Sequence, residues 1–82
     1  MEYYWETVDD NLILWRENQT DPGMSYRVAG VIYEGPSTGF AEVTYRVTGR
    51  LIDEDQRFPT SEEARRAVEQ LVEEQGGRIV KR

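Results

Sequence analysis

The sequence predicts an α+β domain, an antiparallel meander of three to four strands with one C-terminal helix packed on one face. Three observations lead there. Residues 41–51 alternate apolar and polar side chains, residues 64–72 repeat apolar side chains at helical spacing, and turn sequences rich in Gly and Pro separate the runs. At 82 residues the chain has room for a single domain, with the sheet over about 2–58, the helix over about 61–75 and a tail over 76–82.

Residues 2–8 are a first strand candidate, and Leu12 to Glu17 a second, bounded by the turn signal Asp21-Pro22-Gly23. From Tyr26 to Ile32 the set Tyr26, Val28, Gly30 and Ile32 forms an apolar face against the mixed set Arg27, Ala29, Val31 and Tyr33. Gly35-Pro36-Ser37-Thr38-Gly39 then makes a hairpin connection, because Pro fixes one backbone angle and Gly permits positive φ. In the next strand Ala41, Val43, Tyr45, Val47, Gly49 and Leu51 should face the core, leaving Glu42, Thr44, Arg46, Thr48 and Arg50 on the other side.

Thr60 followed three residues later by Glu63 has the spacing of a capping box, which satisfies free amides at a helix start. Ala64, Ala67, Val68, Leu71 and Val72 form one apolar stripe, with Leu71 expected against the sheet. Glu62 with Arg66, and Arg65 with Glu69, should pair across one turn. Gly76-Gly77 ends the helix, and Arg78-Ile79-Val80-Lys81 reads as a short final strand or a docked tail.

Composition narrows function mainly by what is missing. The chain has no Cys and no His, which removes disulfides, thiol nucleophiles, thiolate or imidazole zinc sites and every His-dependent triad. A domain of this size buries only roughly 60–65% of its unfolded surface, leaving few residues to line a deep cleft. The expectation is a protein that is not an enzyme and carries no cofactor. The longest apolar run, Leu12-Ile13-Leu14-Trp15, is too short to span a membrane, and the start Met1-Glu2-Tyr3-Tyr4 lacks the basic region of a signal peptide. A soluble, cytoplasmic protein is expected.

The charge is lopsided. With 16 Asp+Glu and 10 Lys+Arg the net charge is -6; residues 1–60 carry 11 acids and 5 bases, and residues 61–82 carry 5 of each. The excess includes Glu2, Glu6, Asp9, Asp10 and the run Asp53-Glu54-Asp55, a surface suited to a basic partner, though acidic loops also serve solubility alone. Neither Asp9-Asp10-Asn11 nor Asp53-Glu54-Asp55-Gln56 has the spaced ligands and central Gly of a calcium loop, so both read as turns and no metal is expected. Tyr3, Tyr4 and Trp5 add aromatic rings of the kind enriched in interfaces, and adjacent residues on a strand point to opposite faces.

A row of cations, Arg27, Arg46 and Arg50, should project from the sheet face away from the helix, where such a face could enter a DNA major groove. Over about residues 24–75 the order of strands and helix, with Phe58-Pro59-Thr60-Ser61-Glu62-Glu63-Ala64 at the helix start, resembles the DNA-binding domains of plant ethylene-response factors and the arm-binding domains of phage integrases. That resemblance implies DNA contact through the sheet, but the basic composition of those families is absent here, and no family is assigned on it. The sequence therefore favours a small acidic protein-binding module, of the inhibitor type found among phage anti-defence and nucleic-acid-mimic proteins. It would act on a basic protein surface through Tyr3, Tyr4, Trp5, Asp9, Asp10, Asp53, Glu54 and Asp55. The alternative is nucleic-acid binding through Arg27, Arg46 and Arg50, and a carboxylate-based hydrolase ranks third.

Overall fold

The computed structural model describes residues 1–17 and 24–81. Among the described residues six strands and one α-helix follow in the order β1 (Glu2–Val8), β2 (Asn11–Glu17), β3 (Ser25–Glu34), β4 (Thr44–Gly49), β5 (Gln56–Phe58), α1 (Ser61–Glu74) and β6 (Arg78–Ile79), with a 3₁₀ turn at Pro36–Thr38. They form one sheet in the order β5-β4-β3-β2-β1-β6, antiparallel at every junction except β1 with β6, which run parallel. The α+β class stands, with six strands and a parallel pair where the sequence suggested a purely antiparallel meander of three to four. The expected turn at Asp21-Pro22-Gly23 lies outside the described residues.

The helix starts and stops as its local chemistry dictates. Thr60 has extended backbone, and its hydroxyl accepts from the Glu63 amide at 3.2 Å while donating to the Glu63 carboxylate at 3.1 Å. At the other end Gly76 takes φ 79°, the Gly76 amide donates to Glu73 O at 3.0 Å and the Gly77 amide to Val72 O at 2.9 Å. This pair of bonds satisfies carbonyls that the last turn would otherwise leave open. Beyond it the tail lies along β1, with the Arg78 amide on Met1 O at 2.9 Å and the Val80 amide on Tyr3 O at 2.8 Å. Arg78 also pairs with Glu2 through their side chains. Gly77 is required at this junction because a Cβ there would meet the Tyr3 ring at 2.5 Å and Val72 at 2.7 Å.

The core lies between α1 and one face of the sheet. Ala64, Val68 and Val72 are fully enclosed against Tyr3, Leu14, Val28, Ala29, Val31 and Val47, with Trp5, Tyr45, Phe58 and Ile79 packed around them. Val28 joins Ala29 in the core because the β2–β3 register steps from Leu14↔Ala29 to Trp15↔Arg27, leaving Val28 as a bulge residue. The same bulge moves Arg27 out of phase with Ala29, Val31 and Tyr33. That odd-numbered set, which looks mixed in the sequence, is the core face of β3, while Ile32 lies on the opposite side beside Arg46. Ile13 is nonetheless buried on that opposite side, across from Gly30.

Two expectations about burial are corrected. Strand β4 begins at Thr44, because β3 ends at the pair Glu34↔Thr44, so Ala41 and Val43 have no strand opposite and are exposed. On the helix the line Ala64, Val68, Val72 sits over the sheet, whereas Ala67 and Leu71 are only half-buried along its flank. Chain reversal after β4 uses Gly49 at φ 132°, where a Cβ would strike the Val28–Ala29 backbone at 2.6 Å. The expected pair Glu62–Arg66 forms, at 3.7 Å, and Glu69 instead accepts a bond from Trp5 Nε1 at 2.9 Å.

Leu14→Ala is expected to destabilise the fold by about 2–4 kcal/mol and Leu71→Ala by about 1 kcal/mol, read from urea midpoints, since only Leu14 is fully enclosed. Thr60→Ala is expected to cost about 1 kcal/mol and Thr60→Ser much less, measured the same way; equal effects would place the cap elsewhere.

Candidate functional site

The residues singled out in the sequence are spread over both faces of the sheet and its loops. Tyr3, expected at an interface, is 4% exposed and belongs to the core. Trp5 lies on the same face, half-buried, with its indole nitrogen bound to Glu69 of α1, so it ties β1 to the helix. Tyr4 points to the opposite side, as strand alternation requires, and its hydroxyl bonds Ser25 Oγ at 2.7 Å. The aromatic N-terminal edge is thus engaged within the fold.

Asp9 and Asp10 are the exposed two-residue tip of the β1–β2 hairpin, paired at its base by Val8 and Asn11. Asp9 has φ 54°, a left-handed conformation that Asp tolerates better than most residues. The cluster is a turn, as its composition suggests. Among the described residues no three acidic side chains gather where they could hold a metal ion.

The arginine row is dispersed. Arg46 is held on the open face, its Nε 3.3 Å from Glu34 and its Nη1 2.9 Å from Asp55. Arg57, across from Arg46 in the β4–β5 register, places Nε 3.0 Å from the other Glu34 oxygen. Glu34 is only 7% exposed, and this two-arginine clamp is what makes its burial tolerable. Asp55, the last acid of the 53–55 run, is therefore committed: its bond from Arg46, then one from Thr48, hold its carboxyl below the ordinary range. The bond of Arg46 to Asp55 above all, and then that to Glu34, raise the Arg46 guanidinium above its usual value. Arg27 faces the same side five residues along β3 from Ile32, the partner of Arg46, a separation of about 16 Å. Its guanidinium lies over Gly30, and Arg50 is exposed beyond the end of β4.

Asp53 and Glu54 stand elsewhere, on the edge of a cleft of about 520 Å³ between α1 and the connection from β4 to β5. Its floor is apolar: Val47 at the bottom, with half-buried Leu51, Ile52, Ala67 and Leu71. Its rim is exposed and polar, with Asp53, Glu54 and Glu74 as the charged members beside Gln56 and Gln70, and among the described residues no Lys or Arg lines it. The sequence points to Asp53 and Glu54 but not to the cleft. Its two available signals are Leu51-Ile52 directly before an acidic run and Ala67 with Leu71 at one margin of the helical stripe. An apolar floor under carboxylates offers desolvation to a nonpolar group and Coulomb attraction to a cation in the same place.

Glu34→Gln is expected to destabilise the protein by about 1–2 kcal/mol, since it removes the charge that both arginines share. Because the folded Asp55 carboxyl is lowered, its contribution is present above the unfolded pKa of an Asp and disappears as pH falls through the folded value. The difference in urea midpoint between the native protein and Asp55→Asn should accordingly be seen at neutral pH and vanish in acid. Comparison with protein-family models, with curated proteins and with solved structures finds no match for this chain.

Proposed function

We propose that the protein is a non-catalytic binding module that docks on a basic surface of a partner protein through its acid-rimmed cleft. One observation carries this reading: Asp53, Glu54 and Glu74 line the same cleft as half-buried Leu51, Ile52, Ala67 and Leu71, and no cation lines it among the described residues. The acids of the 53–55 run divide into a structural member, Asp55 with Arg46, and two that meet solvent at the cleft. The chain's net charge of -6 favours a basic partner, raising the rate of encounter, while the apolar floor sets how long a complex lasts. Inhibition by occupying the cationic surface of a nucleic-acid-binding protein is the mode of action this arrangement suits.

Direct nucleic-acid binding through the sheet has less support. Arg46 is already bonded to two carboxylates, which a phosphate would have to displace, and the overall field repels a polyanion. Among the described residues no helix is long and apolar enough to cross a membrane.

Fluorescence anisotropy with two labelled probes, a short Lys/Leu peptide and a DNA duplex, tests the reading. The peptide should bind at low salt, weaken as salt rises and lose affinity in the double substitution Asp53→Lys, Glu54→Lys, while the duplex stays unbound. Tight duplex binding abolished by Arg27→Glu with Arg50→Glu, or peptide binding indifferent to the double reversal, would overturn it.

A further inference from the structure

The two walls of the cleft come from different parts of the chain. Leu51, Ile52, Asp53 and Glu54 belong to the connection after β4, whereas Ala67, Leu71 and Glu74 belong to α1. Residues 61–82 carry 5 acids and 5 bases, so charge arithmetic alone gives the helix no part in recognition. The folded arrangement does, because Glu74 adds a third carboxylate to the lining and Ala67 with Leu71 supplies part of the apolar floor.

At about 520 Å³ the cleft lies within the size range of sites that enclose a small ligand or the large side chains of a protein anchor. The occupant must be apolar where it meets Leu51, Ile52, Ala67 and Leu71, and cationic where it meets the rim. Anionic membranes and nucleic acids are repelled by three carboxylates. A second copy of this chain is disfavoured as well, since pairing through the cleft would bring two acidic rims together in a molecule of net charge -6.

We infer that the cleft receives a short basic amphipathic segment of a partner protein, one large apolar side chain seated between Leu51, Ile52, Ala67 and Leu71 with Lys or Arg flanking it toward Asp53, Glu54 and Glu74. This rests on the binding-module reading and adds what is inserted and which residues receive it. The rim pairs are exposed and steer the segment; the seated side chain, removed from water, holds it. Ala67 is the gauge of the slot. Its methyl is half-buried at the cleft wall, so a longer side chain there fills the space while a helix-favouring residue leaves the helix intact.

The test is a four-way comparison of two proteins and two peptides. The peptides share one Lys-rich, Ser-spaced frame and differ only in a central Leu or Ser; the proteins are the native chain and Ala67→Gln, both checked for native thermal unfolding. The native protein should prefer the Leu peptide by about tenfold, and Ala67→Gln should abolish the preference while leaving the weak, salt-sensitive binding of the Ser peptide. Asp53→Lys with Glu54→Lys should weaken both peptides alike. A native protein without a preference, or a preference that survives Ala67→Gln, overturns the slot while the binding-module reading stands. Binding indifferent to the double reversal overturns that reading itself. A Leu peptide with Glu for Lys that binds equally well, or self-association lost in Ala67→Gln, would give the slot to another occupant and overturn the inference.

Discussion

Everything in this fold depends on one helix covering one face of a six-stranded sheet. Five gaps between strands make the sheet about 24 Å wide, and the 14 residues of α1 reach about 21 Å. The chain leaves the sheet at β5, on one edge, and re-enters at β6, on the other, so the helix crosses the strands and must lie close along its length. Its contact line is Ala64, Val68 and Val72, side chains short enough for that approach, and the large volumes come from the sheet as Leu14, Val31 and Tyr3. A helix so placed covers a band rather than the whole face. Where β4 turns away at Gly49 the band leaves Leu51, Ile52 and the Leu71 flank incompletely covered, and the cleft is the result.

The opposite face is kept in order by polar side chains. Glu34 between Arg46 and Arg57, with Asp55 beyond, forms a chain of alternating charge that joins β3, β4, β5 and the loop before β5. Such a network is satisfied only in one register, because a shift by one residue would turn its members to the helix side. It therefore fixes the alignment of the short β5 strand, whose three residues offer little burial of their own. The network consumes two acids and two bases, so it leaves the overall negative field to Asp9, Asp10, Asp53, Glu54 and their neighbours.

What was legible in the sequence was local. Thr60 and Glu63, Gly76 and Gly77, and the alternation of Tyr45, Val47 and their neighbours each act over a few residues, and each delivers the element its chemistry dictates. The bulge at Val28 was hidden, because a slip of one residue in pairing belongs to both strands at once. Strand β5, three residues long, has no period to read, and at β6 the sequence leaves a strand and a docked tail open because the two-residue ladder depends on β1 at the other end of the chain. The burial of Tyr3 and the half-exposure of Leu71 follow from where the helix axis lies, which no single segment encodes. For the same reason the acids at 53 and 54 could be picked out while the apolar floor beside them could not.

The parallel contact of β6 with β1 also bears on how the molecule forms. Joining Arg78 to Glu2 closes a loop of 76 residues, which for a free chain costs about 4 kcal/mol in entropy plus a constant, against a ladder of two residue pairs. So short a ladder does not repay that cost unaided. Once α1 has docked, however, Gly77 already stands beside the Tyr3 ring, and the remaining loop is a few residues. The closing strand is thus expected to form late, after the helix has docked, and to open first in the native state, so that in hydrogen exchange the Arg78 and Val80 amides lose protection ahead of the interior strands.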